Sequence, residues 1–120
     1  MNFDDIEIPK GLVYLSIPYS DKSKLVVRRR MEVFNQITLK LLSMGVHVVS
    51  PMLVEHLLTD TDIEITYDRW SEYCETMMNS CDELWVIQVE GWDKSTGVKA
   101  EIEYAKKTKK AVAFLEVASG

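Results

Sequence analysis

Residues 83–105 read ELWVIQVEGWDKSTGVKAEIEYA, and this stretch determines the fold class that the chain adopts. Its first part contains the apolar run Leu84–Ile87, which predicts a buried strand over Glu83–Val89. A small polar loop follows, and the apolar positions of Ser95–Lys109 then recur at helical spacing. A strand that leads through a polar loop into a helix is typical of α/β proteins, which hold anionic ligands at such turns.

The remainder of the chain repeats this alternation of strands and helices. The predicted strands are Leu12–Ile17, Val46–Val49, Glu83–Val89 and Ala111–Val117, and the predicted helices are Ser23–Met44, Ile63–Asn79 and Ser95–Lys109. Gly45 is the expected C-terminal cap of the first helix, and residues 52–62 are predicted to be a loop with one helical turn. We therefore predict an α/β, three-layer flavodoxin- or Rossmann-like fold. It has a mostly parallel sheet of four or five strands in the order 2-1-3-4, within a single domain of residues 1–120.

Composition excludes several classes of function. The chain has 120 residues and a formal net charge of -5, which argues against DNA or RNA as the partner. No apolar run approaches the roughly 20 residues that cross a bilayer, and the acidic segment Met1–Pro9 is not expected to act as a signal peptide. Cys74 and Cys81 are expected to be free thiols in a reducing cytoplasm, and no Cys/His cluster indicates a metal site.

Glu101 is the first candidate for chemistry. In parallel sheets, ligands bind at the carboxyl ends of the strands, so the loops 16–20, 50–56 and 91–97 are expected to converge. Glu101 lies about one turn inside the last helix, near the positive end of its dipole. Glu103 has Lys99 and Lys107 four residues away, whereas Glu101 has no basic residue at this spacing. Spacing alone leaves two interpretations of Glu101, an exposed carboxylate or a catalytic one.

Other candidates are equally open at this point. Ser95 and Gly97 are placed either to cap the last helix or to bind a phosphate or a sugar hydroxyl. Asp68, among aromatic residues, is either a second acid or part of a solvated acidic face. His56 follows a strand end and is placed to face a ligand, whereas the triplet Arg28–Arg30 covers most of a helical turn and is typical of a solvated face.

Four segments together resemble the nucleoside 2-deoxyribosyltransferase superfamily. Residues 14–20 (YLSIPYS) resemble its first strand and loop, residues 45–51 (GVHVVSP) its second strand, and residues 81–87 (CDELWVI) its third. Residues 91–101 (GWDKSTGVKAE) are similar to its Gly-Trp-Glu-x-Ser-x-Gly-x-x-x-Glu signature. The resemblance spans residues 12–117 and is closest to the small DUF1937-type branch.

The resemblance implies a retaining N-glycosidase. Glu101 would be the nucleophile that attacks C1′ of the sugar, kept ionised by the helix N-terminus. Asp68 would bind or protonate the leaving base, and Tyr14 would hold the nucleophile. The substrate-binding residues expected from these segments are Ser16, Pro18, Tyr19, Ser20, His56, Trp92, Ser95 and Gly97.

The resemblance also separates hydrolases from transferases. Transferases of the superfamily carry an acid six residues before the nucleophile, whereas this chain has Ser95, as nucleoside 5′-monophosphate hydrolases do. Those hydrolases place an Arg just after the first strand, where this chain has Pro18, and Arg28 or Arg30 is the expected substitute. We therefore expect a cytoplasmic, homo-oligomeric N-glycosidase that acts on a nucleotide or nucleoside without a metal or organic cofactor. Nucleoside 2-deoxyribosyltransferase and a non-catalytic nucleotide sensor are the alternatives. Met77, Met78 and Trp92 suit either an interface between subunits or a core.

Overall fold

A computed structural model describes residues 1–117 of the chain. Its strands are β1 (Leu12–Ser16), β2 (His47–Val49), β3 (Glu83–Gln88) and β4 (Ala111–Glu116), and its helices are α1 (Lys24–Ser43), α2 (Met52–Leu57), α3 (Tyr67–Asn79) and α4 (Thr96–Lys107). Short 3₁₀ turns occupy Phe3–Asp5 and Trp92–Lys94. The last three residues of the predicted domain lie outside the described part.

The four strands form one open parallel sheet. Their order is β2-β1-β3-β4, and each neighbouring pair is parallel. This confirms the predicted α/β class and the predicted strand order. Because β1 and β3 are the central strands, polar side chains at the carboxyl end of β1 lie near the middle of the sheet edge, where ligands bind in this class.

The alternation of side chains along each strand builds two cores, one on each face of the sheet. On one face, Val13 and Leu15 pack with Phe34 and Leu41 of α1. On the other face, Tyr14 packs in a second cluster, whose further members are Met78, Cys81, Leu84, Val86, Val98 and Ala105. These two clusters give the predicted three layers. Ser16, two residues after Tyr14 on β1, is turned towards the same layer as α3 and α4.

The end of α1 shows why most boundaries were predictable. Gly45 has φ of +92°, and the amide of Val46 donates to the carbonyl of Leu41 at 2.9 Å. The amide of Gly45 also donates to the Leu42 carbonyl, which completes a Schellman cap. The predicted ends of the strands and of the helices α1 and α4 differ from the observed ends by at most two residues.

Two predictions between β2 and α3 need correction. The helix predicted from Ile63 begins only at Tyr67, because Thr66 is its N-cap and accepts a hydrogen bond from the amide of Arg69 at 3.3 Å. The segment predicted as a loop with one turn contains α2, which follows Pro51 directly. None of the helices within residues 1–117 is long and apolar enough to span a bilayer.

Candidate active site

A cavity of about 500 Å³ opens at the carboxyl end of the sheet, within the range of small-molecule sites. All three loops that follow β1, β2 and β3 contribute to its wall, and helices α2, α3 and α4 close its sides. The predicted site residues that line it are Ser16, Pro18, Tyr19, Ser20, Ser95, Gly97 and Glu101. The structure therefore brings seven of the eleven candidates to one cavity.

Glu101 is held at the floor of the cavity by β1. The hydroxyl of Ser16 donates a hydrogen bond to Oε1 of Glu101 at 2.8 Å. Ser16 is buried and Glu101 is partly buried, so this contact ties the end of the central strand to the second turn of α4. A hydroxyl that donates to a carboxylate fixes its orientation, which is what a nucleophile or a ligand-binding carboxylate requires.

The pKa of Glu101 is raised to about 7. Burial is the largest cause, and the charge of Glu55 adds to it, while the hydroxyls of Tyr14 and Ser16 act in the opposite direction. The sequence predicted a carboxylate kept ionised by the helix N-terminus. Glu101 lies five residues after the first residue of α4, beyond the first turn where the dipole acts, so burial dominates.

Tyr14 lies beneath Glu101 and is fully buried. Its hydroxyl makes no hydrogen bond of good geometry among the described residues, yet it is close enough to lower the pKa of Glu101. Burial, and then the charge of Glu101, raise the pKa of Tyr14 itself, so it remains a phenol. Cys74 of α3 faces the same phenol, and burial raises the pKa of its thiol to about 11.

The N-terminus of α4 forms another part of the wall. Ser95 is the N-cap, and its hydroxyl accepts from the amide of Val98 at 3.2 Å. The amides of Thr96 and Gly97 have no acceptor among the described hydrogen bonds, as expected for the first turn of a helix. Lys94 lines the cavity beside them. Free amides, a hydroxyl and an ammonium group can together hold an anion.

Arg30 joins two of the loops that surround the cavity. Its guanidinium donates to the carbonyls of Tyr19 at 3.3 Å, Ser20 at 2.9 Å and Glu90 at 3.2 Å. Its Nε atom is buried and has no partner in the described residues. Gly91 follows Glu90 in the chain and has a φ of +89°. A Cβ atom at Gly91 would lie 2.8 Å from Nη2 of Arg30. Arg28, by contrast, is exposed.

The cavity lies wholly within the region that matches a known family. A model of the family described as Domain of unknown function (DUF1937) matches residues 11–117. The chain belongs to the DUF1937 family. The match begins just before β1 and ends just after β4, so it takes in every residue of the cavity wall. None of the curated proteins matches this chain.

Four candidates of this DUF1937 chain lie away from the cavity wall, counting Tyr14 beneath the floor. Asp68 is exposed on α3 and does not line the cavity. His56 is also exposed, with Nδ1 3.5 Å from the hydroxyl of Tyr19. The indole of Trp92 packs against Phe114 at a centroid distance of 5.3 Å and belongs to the core under α4.

The structure adds charged residues that the sequence did not single out. Glu55 of α2 and Glu75 of α3 line the cavity, as do Asp21 and Lys94. Glu55 was missed because residues 52–62 were predicted as a loop with one helical turn whose position in the loop was not assigned, so the direction of its side chain could not be inferred from periodicity. Its position four residues after Pro51, a helix-starting residue, was the available signal. Within residues 1–117, no group of three or more His, Cys, Asp or Glu is arranged to hold a metal ion.

Proposed function

We propose that this protein is an N-glycosidase that hydrolyses the base–sugar bond of nucleoside 5′-monophosphates through a covalent glycosyl intermediate on Glu101. The observation that carries the proposal is the Glu101 carboxyl, oriented by Ser16 at 2.8 Å and facing a cavity of about 500 Å³. A retaining glycosidase needs a carboxylate fixed against the anomeric carbon of its substrate.

The electrostatics of Glu101 suit this role. A carboxyl with a pKa near 7 is more basic, and therefore more nucleophilic, than one with the ordinary value, while about half of it is ionised at neutral pH. The sugar develops positive charge in the oxocarbenium-like transition state. This charge stabilises the ionised carboxylate of Glu101, which lies in the low-dielectric surroundings of the cavity. The hydroxyls of Ser16 and Tyr14 favour its ionised form.

A 5′-phosphate is supported by the basic part of the wall. Ser95 and the first amides of α4 are neutral donors, and Lys94 and Arg30 bring positive charge to the same cavity. An acid in place of Ser95 would repel a phosphate, whereas Ser95 does not. Because Arg30 already donates to three carbonyls, its role towards a phosphate would rest on its remaining N–H groups and its charge.

Assembly and location are further parts of the proposal. Met78 is buried, and Met77 and Trp92 pack against the core, so an interface would use other residues. Large exposed apolar side chains occur in and between α2 and α3, beside the cavity: Leu53, Leu57, Ile63, Ile65, Tyr67 and Tyr73. We expect a homo-oligomer that covers this surface. The two free cysteines favour the cytoplasm.

The decisive experiment is base release. Purified protein is incubated with a panel of nucleosides and their 5′-monophosphates, and free base is followed by chromatography. We expect release from monophosphates, reduced roughly 10³-fold or more in Glu101→Gln and unchanged in Glu103→Gln, an exposed residue of the same helix. A 2′-fluorinated nucleotide, which slows the hydrolysis step, should add the mass of the sugar phosphate to the peptide that contains Glu101.

Other outcomes select the alternatives. Exchange of one base for another, with little hydrolysis, would identify a nucleoside 2-deoxyribosyltransferase. Binding of nucleotides without release of base in any case would contradict an enzyme and favour a sensor. Release that is equal in wild type and Glu101→Gln would remove Glu101 from the mechanism.

A further inference from the structure

The cavity wall contains a second carboxyl besides that of Glu101. Glu55 lies on α2, is partly buried and lines the same cavity as Glu101. Among the described residues, its hydrogen bonds run through the backbone: its carbonyl accepts from the hydroxyl of Thr59 at 3.5 Å. Its carboxyl has no partner there, so it is free to contact a molecule in the cavity.

Apart from Glu101, the other carboxyls near the cavity are more exposed than that of Glu55. Asp21 and Glu75 also line the wall, but both are exposed. Asp68 is exposed and outside the lining. Of the carboxyls that line the described cavity, Glu55 and Glu101 are therefore the two that are partly buried. The charge of Glu55 raises the pKa of Glu101, which shows that the two carboxyls lie within electrostatic reach of each other.

We propose that Glu55 is the general acid that protonates the departing base, and afterwards the base that activates water. This inference rests on the proposed N-glycosidase activity and assigns to Glu55 the role for which Asp68 was expected. Two carboxyls line one cavity, one held by Ser16 and one without a partner among the described residues, and a retaining glycosidase uses two carboxyls as its nucleophile and acid.

The reaction balances with these two groups. Ionised Glu101 attacks C1′, the electron pair of the C1′–N bond moves to the base, and the proton of Glu55 moves to the same base. The products are a neutral base, a glycosyl ester of Glu101 and the Glu55 carboxylate. Water then attacks C1′ and gives its proton to Glu55, and the electron pair of the ester bond returns to Glu101. Both carboxyls are restored, and the two inversions give net retention.

The charge of Glu55 raises the pKa of Glu101, so the reactive form of the protein is the one in which the proton lies on Glu55 and Glu101 is ionised. Burial raises the pKa of Glu55, which favours the protonated form needed in the first step. The charged and titratable groups that share the cavity wall with Glu55 include Glu101 of α4, Cys74 and Glu75 of α3, Asp21 after β1, Arg30 of α1 and Lys94 before α4. Formation of the Glu101 ester removes a negative charge from the cavity that the two residues share, which favours the ionised form of Glu55 when a base is needed.

The test compares leaving groups that need a proton with those that do not. Guanosine 5′-monophosphate requires protonation of its base, whereas 7-methylguanosine 5′-monophosphate already carries the positive charge and releases a neutral base. The sugar is the ribose or 2′-deoxyribose form that the wild type cleaves. For a protein specific for pyrimidines, uridine 5′-monophosphate and its 5-nitro derivative make the same comparison.

Glu55→Gln should lower kcat/KM for the unmethylated nucleotide roughly 10²-fold or more, and for the methylated one by less than about threefold. Glu75→Gln tests the other carboxyl of the cavity wall that could act as the acid. Glu101→Gln should lose activity on both substrates. Glu55→Ala, checked by circular dichroism, should regain activity on the unmethylated nucleotide with added sodium formate.

Each outcome bears on one of the two proposals. Equal losses for both substrates in Glu55→Gln, or no effect at all, would overturn the acid role and leave the glycosidase in place. A difference between the substrates that appears in Glu75→Gln instead would transfer the role to Glu75. No release of base by the wild type would overturn the glycosidase, and with it the role of Glu55.

Discussion

Ser16 and Glu101, 85 positions apart in the chain, meet through a hydrogen bond of 2.8 Å at the carboxyl end of the central strand. This contact exists because Ser16 lies on the face of β1 that packs towards α4, and because the loop after β3 is short. It is the one hydrogen bond of good geometry to the Glu101 carboxyl in residues 1–117. The ionisation of Glu101 should therefore respond to changes at Ser16.

Ser16→Ala should raise the pKa of Glu101 further above 7, because the Ser16 hydroxyl lowers it. Since an ionised Glu101 is required, the acid limb of the curve of kcat/KM against pH should move to higher pH. At pH 6 the rate should fall roughly three- to tenfold, the effect of losing part of a charge-assisted hydrogen bond. Ser43→Ala, on the exposed end of α1, is the control. An unchanged curve in Ser16→Ala would contradict this coupling.

Glu101→Gln should stabilise the protein at alkaline pH. The folded pKa of about 7 exceeds the ordinary value of 4.5, so the folded state holds a proton that the unfolded state releases between these values. Stability is therefore full below pH 4.5 and falls as pH rises to about 7. Glutamine removes this loss, so the free energy of unfolding should rise by about 1–3 kcal/mol at pH 8.

Urea denaturation at pH 4 and pH 8 measures the stability change of Glu101→Gln. At pH 4 the variant and the wild type should have nearly equal free energies of unfolding, because Glu101 is then mostly protonated in both the folded and the unfolded state. Glu103→Gln, an exposed position on the same helix, should show no such dependence on pH. A variant of Glu101 that is less stable at pH 8 would contradict the raised pKa.

Tyr14→Phe separates stability from activity. The buried hydroxyl of Tyr14 makes no hydrogen bond of good geometry within residues 1–117, so the free energy of unfolding should change by less than about 1 kcal/mol. Activity at pH 6 should fall, because the hydroxyl lowers the pKa of Glu101. Tyr104→Phe is the matched stability control, since the Tyr104 hydroxyl donates to Asn79 Oδ1 at 2.8 Å. A Tyr14→Phe loss larger than that of Tyr104→Phe would contradict this picture.

The fold was predictable because its signals are local. Short apolar runs ended by proline, glycine or polar residues mark the strands, and the alternation with helices forces a parallel sheet. The predicted start of α3 was wrong because the apolar residues Ile63 and Ile65 continue the hydrophobic pattern of the helix into the preceding loop. In the structure both are exposed, and the Thr66 cap decides where the helix begins.

The positions of the candidate residues at the cavity were predictable only where these residues belong to strand ends, to the loops that follow them, or to the first two turns of a helix. Ser16 and Glu101 have positions that follow from the fold class, whereas a residue within a helix depends on its phase. Trp70, Cys74 and Met78 recur every four residues and line the cavity, and Asp68, two residues before Trp70, is turned some 200° away. The direction of Glu55 depends on α2, which the sequence did not reveal as a helix.

Gly91→Ala should destabilise the protein more than Gly45→Ala does. Both glycines have positive φ, near +90°, so alanine at either position costs about 1–2 kcal/mol of backbone strain. At Gly45 the new Cβ atom would meet no atom of the described residues within 4 Å, whereas at Gly91 it would lie 2.8 Å from Nη2 of Arg30. The additional loss at Gly91 therefore measures the displacement of Arg30 from the Glu90 carbonyl.

Urea denaturation of the two glycine variants, each with and without Arg30→Ala, isolates this contact. With Arg30 present, the loss in Gly91→Ala should exceed that in Gly45→Ala by roughly 1 kcal/mol or more. With Arg30→Ala, the two losses should become equal, because the crowded guanidinium is gone. Base release should fall in Gly91→Ala and stay unchanged in Gly45→Ala, because only Gly91→Ala disturbs the hydrogen bonds by which Arg30 joins the loops around the cavity. If the two glycine variants lost equal free energy of unfolding in the presence of Arg30, the contact with Arg30 would not constrain Gly91.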